Sequence, residues 1–330
     1  MAPASPMPVP APVIQATLFS RLRSIFSLLS FYACIAKTIA RWRTRSAGEE
    51  KGKERRGKVD MNSNAAKRLA EIDNDGYTII ENVMSEDLMT RIRAELAPYC
   101  QGKFPGRNNF EGTHTERVYA LLAKTPSVAE IIEHPTTLEL LDQLLPKNFL
   151  LSAALSILVH PGETPQPFHY DDGIAGLPVF KPRPRFGVST IWAFDDFNEN
   201  NGATEVIPGS HRWAEDRQPQ EAEAVKVLMP AGSVVVFDGA LIHRGGANAS
   251  SAHRLAITPQ YCNAGLRQIE NMVLAVPPDT ARQYSERIQN MLGYNIIEPS
   301  FMGYVDGVHP KKLIDGDYKG RKYRAELPES

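Results

Sequence analysis

Two segments far apart in the chain carry side chains that suit a metal ion. PFHYDDG holds His169, Tyr170 and Asp171, DGALIHRGG holds His243, and Arg254 follows eleven residues later. Two imidazoles and one carboxylate cover one face of an octahedral Fe(II) and leave the opposite face open to a co-substrate and oxygen. If His169 and Asp171 share a strand, the two-residue period places both on one face while Tyr170 turns away. His243 ends an apolar, strand-like run at residues 240–242, and Gly239, Gly245 and Gly246 permit sharp turns beside a buried centre. An HxD pattern alone is weak; joined to a distant histidine and arginine it is a strong signal. A guanidinium offers paired donors matched to a carboxylate, so Arg254 is the candidate anchor of an anionic co-substrate, with pairing to an acidic side chain on the sheet surface as its rival role.

The elements that must hold these groups are legible in outline. Residues 77–80 read as a short strand after the turn at Gly76, and Ser85 is the candidate N-cap of a helix carrying Leu88, Met89, Ile92 and Leu96 on one face. Residues 128–145 repeat the helical pattern, with an interruption near Pro135. From residue 151 the texture changes to short strands punctuated by Gly and Pro: 155–159, 188–193, 232–237 and 255–261. Residues 279–292 read as a final helix. The expected fold is mainly β with flanking helices, in which so many short strands form a jelly roll or barrel.

These residues resemble the phytanoyl-CoA dioxygenase family of Fe(II)/2-oxoglutarate oxygenases over roughly residues 70–265, including the segment NGATEVIPGSHRW at 201–213. The resemblance implies a double-stranded β-helix of the cupin-like, jelly-roll kind, iron held by His169, Asp171 and His243, and the far carboxylate of 2-oxoglutarate held by Arg254. It further implies that Gln166 and Thr204 contact the co-substrate; loop-stabilising hydrogen bonds are their rival role. His211 lies in the same typical segment and is expected to pack a loop rather than bind metal. The implied reaction consumes oxygen and 2-oxoglutarate, releases succinate and CO2, and hydroxylates an unactivated C–H bond, in the setting of secondary metabolism. A small, largely hydrophobic metabolite is the expected substrate. A fatty acyl-CoA is the alternative, and a catalytically silent metal-binding domain is a rival of a different class.

Composition restricts the partners. Of the 330 residues, the first 60 carry eleven Lys/Arg and four Asp/Glu, a net of +7, and the rest carry −8. An acidic body argues against nucleic acid, whose phosphates demand concentrated positive charge. Three cysteines without a CxxC pair exclude a disulfide scaffold and fit an intracellular, by default cytoplasmic, setting. Residues 1–60 read as a basic extension ahead of a dioxygenase domain at 61–330. Within it, residues 18–42 leave three readings open: a sticky extension, a targeting or membrane-surface helix, or a short anchor. Oligomeric state has no signature. Aromatic candidates for the substrate site are Phe168, Tyr170, Phe186, Trp192 and Phe194, some of which alternation sends to the core instead, and Lys181, Arg183 and Arg185 are either contacts for an anionic group at the mouth or solvated.

Overall fold

The computed structural model describes residues 63–104, 106–172, 183–214, 216–297 and 302–319. The basic extension at 1–60, its apolar part at 18–42, and Lys181 lie outside these. Among the described residues no helix is long and apolar enough to cross a membrane.

Helix α1 (Ser63–Asp75) runs into strand β1 (Tyr77–Ile80) through Gly76, whose φ of +89° suits a residue without Cβ. Helix α2 (Glu86–Leu96) starts where expected: the Ser85 hydroxyl accepts the Leu88 N–H at 3.2 Å, and Leu88, Ile92 and Leu96 are buried. Strand β2 (Thr115–Val118) precedes α3 (Ala129–Ile132) and α4 (Pro135–Leu144), which Pro135 separates as a first-turn residue. The strands then follow as β3 (Leu150–Val159), β4 (Gly187–Ala193), β5 (Thr204–Val206), β6 (Val225–Lys226), β7 (Val234–Asp238), β8 (His243–Gly245) and β9 (Arg254–Cys262). Three short helices close the order, α5 (Met272–Ala275), α6 (Pro278–Ala281) and α7 (Glu286–Leu292), so the single helix expected at 279–292 is broken.

The strands form two antiparallel sheets, one of order β1-β7-β4-β9-β3-β2 and a small one of order β6-β5-β8. This corrects the expected mainly-β, closed jelly roll. The ladders do not join into a barrel; the fold is mixed α/β with two open sheets. The edge strands are too short to wrap around: β1 and β2 have four residues each, and β6 has two. Helices supply as much of the architecture as strands. One face of the large sheet packs on them through Leu255, Ile257, Tyr261, Trp192, Val234 and Val236. Tyr261 ties the layers by donating its hydroxyl proton to the Ile132 carbonyl at 2.8 Å. A second apolar cluster, including Val206, Val235, Phe237 and Leu241, lies on the other side.

Gly76 is a tight joint of this frame. A Cβ there would lie 2.5 Å from Leu241 Cδ1 and 2.7 Å from His211 Nδ1. Gly76→Ala is therefore expected to cost about 1–3 kcal/mol. A urea melt with unchanged slope and a lower midpoint would show it, and an unchanged midpoint would refute it.

Candidate metal centre

His169 lies outside the regular strands. It forms an isolated antiparallel bridge with His243, in which each residue donates its N–H to the other's carbonyl, at 2.9 and 2.8 Å. Two residues on, the Asp171 N–H donates to the Gly239 carbonyl at 2.9 Å. The Asp172 N–H donates to the same carbonyl at 3.0 Å, so the chain turns at 171–172 and hydrogen bonds to 239–243, rather than the strand alternation expected at 169–171, place the third ligand. Asp171 Oδ1 lies 4.0 Å from His169 Nε2 and 3.6 Å from His243 Nε2. One ligand atom from each of the three residues falls within 4.8 Å of the others, the separation a single ion can bridge.

The imidazoles are prepared for ligation. His169 Nδ1 is 2.9 Å from the Pro167 carbonyl, and His243 Nδ1 is 3.0 Å from that of Leu241. A carbonyl can only accept, so each neutral ring carries its proton on Nδ1 and presents the Nε2 lone pair toward Asp171. Burial, reinforced by the charge of His243, pushes His169 down to about 4, against the pull of Asp171. It is neutral at physiological pH. The rings are buttressed edge-on by Phe110 and Phe237, each at 4.8 Å. This donor set fits Fe(II).

The ligands open onto a cavity of about 520 Å³, whose wall on the sheet side is built by alternate residues. Strand β9 contributes Arg254, Ala256, Thr258 and Gln260, while its intervening residues turn away. Arg254 is buried with no carboxylate in ion-pairing distance among the described residues, and its Nε has no hydrogen-bond partner. Its Nη2 donates to the Gly202 carbonyl, and the guanidinium sits 4.4 Å over the Phe197 ring. Burial lowers it to about 10, leaving it charged at neutral pH. A buried cation with an orphaned donor in the metal cavity fits an anion that chelates the same metal.

Gln166 and Thr204 line this cavity too, and both rest on Gly245. Gln166 Oε1 accepts the Gly245 N–H at 2.8 Å and its Nε2 donates to the Phe110 carbonyl at 2.5 Å; Thr204 faces Gly245 in the β5–β8 ladder. His211 stands apart, with Nε2 3.2 Å from the Asp73 carbonyl. Of the aromatic candidates, Tyr170 reaches the cavity, whereas Trp192 and Phe194 are core. Arg183 and Arg185 are committed to Asp172 and Asp238, each at 2.6 Å, rather than waiting for an anion. Sequence reasoning missed Arg117, a second guanidinium in the cavity, bonded to the carbonyls of Glu111 and Phe110. It also missed Ser189 and Gln260, which both donate to Asp171. Their positions on strands β4 and β9 were the available signal.

Two outcomes follow from the ligand geometry. Asp171→Ala should abolish stoichiometric Fe(II) binding in anaerobic equilibrium dialysis; retained binding would exclude this centre. In metal-free protein the His169 ring should titrate near 4 instead of 6.5. Because the unfolded chain then takes up the proton first, its contribution to stability falls as pH drops from 6.5 toward 4. Ring chemical shifts followed by NMR test this, and titration near 6.5 would contradict it.

Comparison with known proteins agrees with the site. The chain is 26% identical over 285 residues to the dioxygenase swnH2 of Arthroderma benhamiae, covering 79% of this chain and 91% of that one. It is 29% identical over 253 residues to the multifunctional dioxygenase prhA of Penicillium brasilianum, covering 68% and 81%. Its fold is similar to that of HygX from Streptomyces hygroscopicus, solved with nickel, 2-oxoglutarate and hygromycin B, at a TM-score of 0.52 and 15% identity, with 61% and 88% of the two chains covered. The phytanoyl-CoA dioxygenase (PhyH) family model matches residues 72–256, more than half the chain, and that span contains all three metal ligands together with Arg254. By this match and by its metal centre, the chain belongs to the phytanoyl-CoA dioxygenase family of Fe(II)- and 2-oxoglutarate-dependent enzymes.

Proposed function

We propose that this dioxygenase hydroxylates an unactivated C–H bond of a small, largely hydrophobic metabolite, with Arg254 anchoring 2-oxoglutarate. The observation that carries the reading is the Arg254 guanidinium, its Nε without a hydrogen-bond partner, buried in the same cavity as His169, Asp171 and His243. When bound, iron and 2-oxoglutarate together supply the oxidation, in which oxygen, 2-oxoglutarate and a C–H bond become succinate, CO2 and an alcohol. The protein supplies position and protection. Arg254 holds the far carboxylate in a water-poor site, where a charge-assisted bond is strengthened. Gln166 and Thr204 line the adjoining wall on the side of Gly245, and Arg117 adds positive charge.

The remaining walls suit an apolar substrate. Ala153, Leu155, Ile157 and Ile191 face the cavity, and Phe110, Tyr119 and Ile269 are exposed apolar side chains at its lining. A second cavity of about 360 Å³ shares Asp171, Gln260 and Ile269 with the first and extends the room beside the metal. A coenzyme A thioester fits less well. Its phosphates call for a cluster of free cations, whereas the described linings hold Arg117 and Arg254 inside the first cavity, one exposed arginine, Arg267, at the second, and no lysine. The relatives swnH2 and prhA, both dioxygenases by name, are consistent with the same chemistry.

Succinate formation by the full chain, reconstituted anaerobically with Fe(II) and 2-oxoglutarate and then exposed to air, tests the reading. Arg254→Ala is expected to raise the KM for 2-oxoglutarate by about 10–100-fold, the loss of a charged hydrogen bond worth about 1.5–3 kcal/mol. Arg254→Lys should recover little, because an ammonium lacks the planar fork. Equal KM values in all three proteins would remove Arg254 from the co-substrate site, and metal binding without any 2-oxoglutarate binding would favour a silent domain.

A further inference from the structure

Asp171 is gripped on one oxygen only. Its Oδ2 accepts from Ser189 Oγ at 2.5 Å and from Gln260 Nε2 at 2.9 Å, while Oδ1 is the oxygen nearest both histidines. Ser189 and Gln260 are direct cross-strand partners in the β4–β9 ladder, so their side chains rise from the same face of the sheet. The orientation of the Gln260 amide is unambiguous, since a carboxylate offers only acceptors to the group facing it. Two donors occupy the lone pairs through which Oδ2 would otherwise reach the metal.

We propose that Ser189 and Gln260 are positioning residues that hold Asp171 as a one-oxygen ligand and thereby keep the metal's open face open. The proposal rests on the site being an iron and 2-oxoglutarate centre. An octahedral ion held by two imidazoles and one carboxylate oxygen has three positions left. A chelating 2-oxo acid takes two, and oxygen needs the third. If Asp171 swung to bind through both oxygens, one of these would be lost. If it swung away, the centre would lose its only anionic protein ligand. The clamp prevents both by fixing the carboxylate from two paired strands of the sheet. Gln260 also lines both cavities, so the residue that steadies the ligand stands where a substrate would arrive.

The test uses the full chain loaded with Co(II), whose visible absorption reports coordination number and geometry. Parent, Ser189→Ala, Ser189→Thr and Gln260→Leu are compared for thermal midpoint, Co(II) affinity against a chelating dye, and the spectral change on adding 2-oxoglutarate without oxygen. Ser189→Ala removes a single oxygen and remains informative if the Gln260 variant fails to fold. In folded Ser189→Ala and Gln260→Leu proteins, Co(II) affinity should fall by about 10–100-fold or the 2-oxoglutarate-dependent spectrum should change, with Ser189→Thr restoring the parent behaviour. A purely structural role would lower the thermal midpoint and leave the spectrum alone. Parent-like affinity and spectra in both variants overturn the clamp while leaving the centre intact. A parent that binds no Co(II) overturns the centre itself, and the clamp with it.

Discussion

The site depends on one reciprocal pair of backbone hydrogen bonds, exchanged between His169 and His243. These residues lie more than seventy positions apart, and neither belongs to a long ladder at that point. The bridge fixes the two ring origins relative to one another. The Asp171 and Asp172 N–H bonds to Gly239 then set the third ligand from a turn. Without that pairing His169 and Asp171 would be ordinary loop residues, and the cost of gathering them beside His243 on strand β8 would fall on the metal alone. With it, the tautomers are set by the carbonyls of Pro167 and Leu241 before any ion arrives.

Strand β9 supplies the wall of the cavity beside the metal ligands. Its even face presents Arg254 and Gln260 to the cavity, and its odd face presents Leu255, Ile257 and Tyr261 to the helices. One strand therefore joins the core to the chemistry: the burial that stabilises the sheet also dries Arg254. Desolvation of a guanidinium is costly unless something pairs with it. Leaving its Nε orphaned is a local sacrifice of stability, of the kind that functional sites make.

Residue type made the centre readable. His169, Asp171, His243 and Arg254 have side chains whose chemistry survives any uncertainty in the path of the chain, and the structure brings all four to one cavity. The helix cap at Ser85 and the four strand cores were visible for a similar reason, being set by local contacts and alternation. The closed barrel was not there to be found. Strand-rich texture after residue 151 shows that strands exist, but not that β1 and β2, from earlier in the chain, would end the large sheet as separate edges. Arg183 and Arg185 were misread because a charge in a polar stretch looks free until its carboxylate is located.

By itself, the sequence determined the ligand chemistry and the family and singled out Arg254 as the candidate anion anchor, since these depend on which donors exist and on their order along the chain. Tertiary structure alone decided the openness of the two sheets, the pairing of Arg183 and Arg185, and the convergence of Ser189 and Gln260 on one oxygen of Asp171. The physical reason is register. Which residues of two distant strands stand opposite each other depends on long-range pairing, and a shift of one residue would send Ser189 or Gln260 to the other face of the sheet.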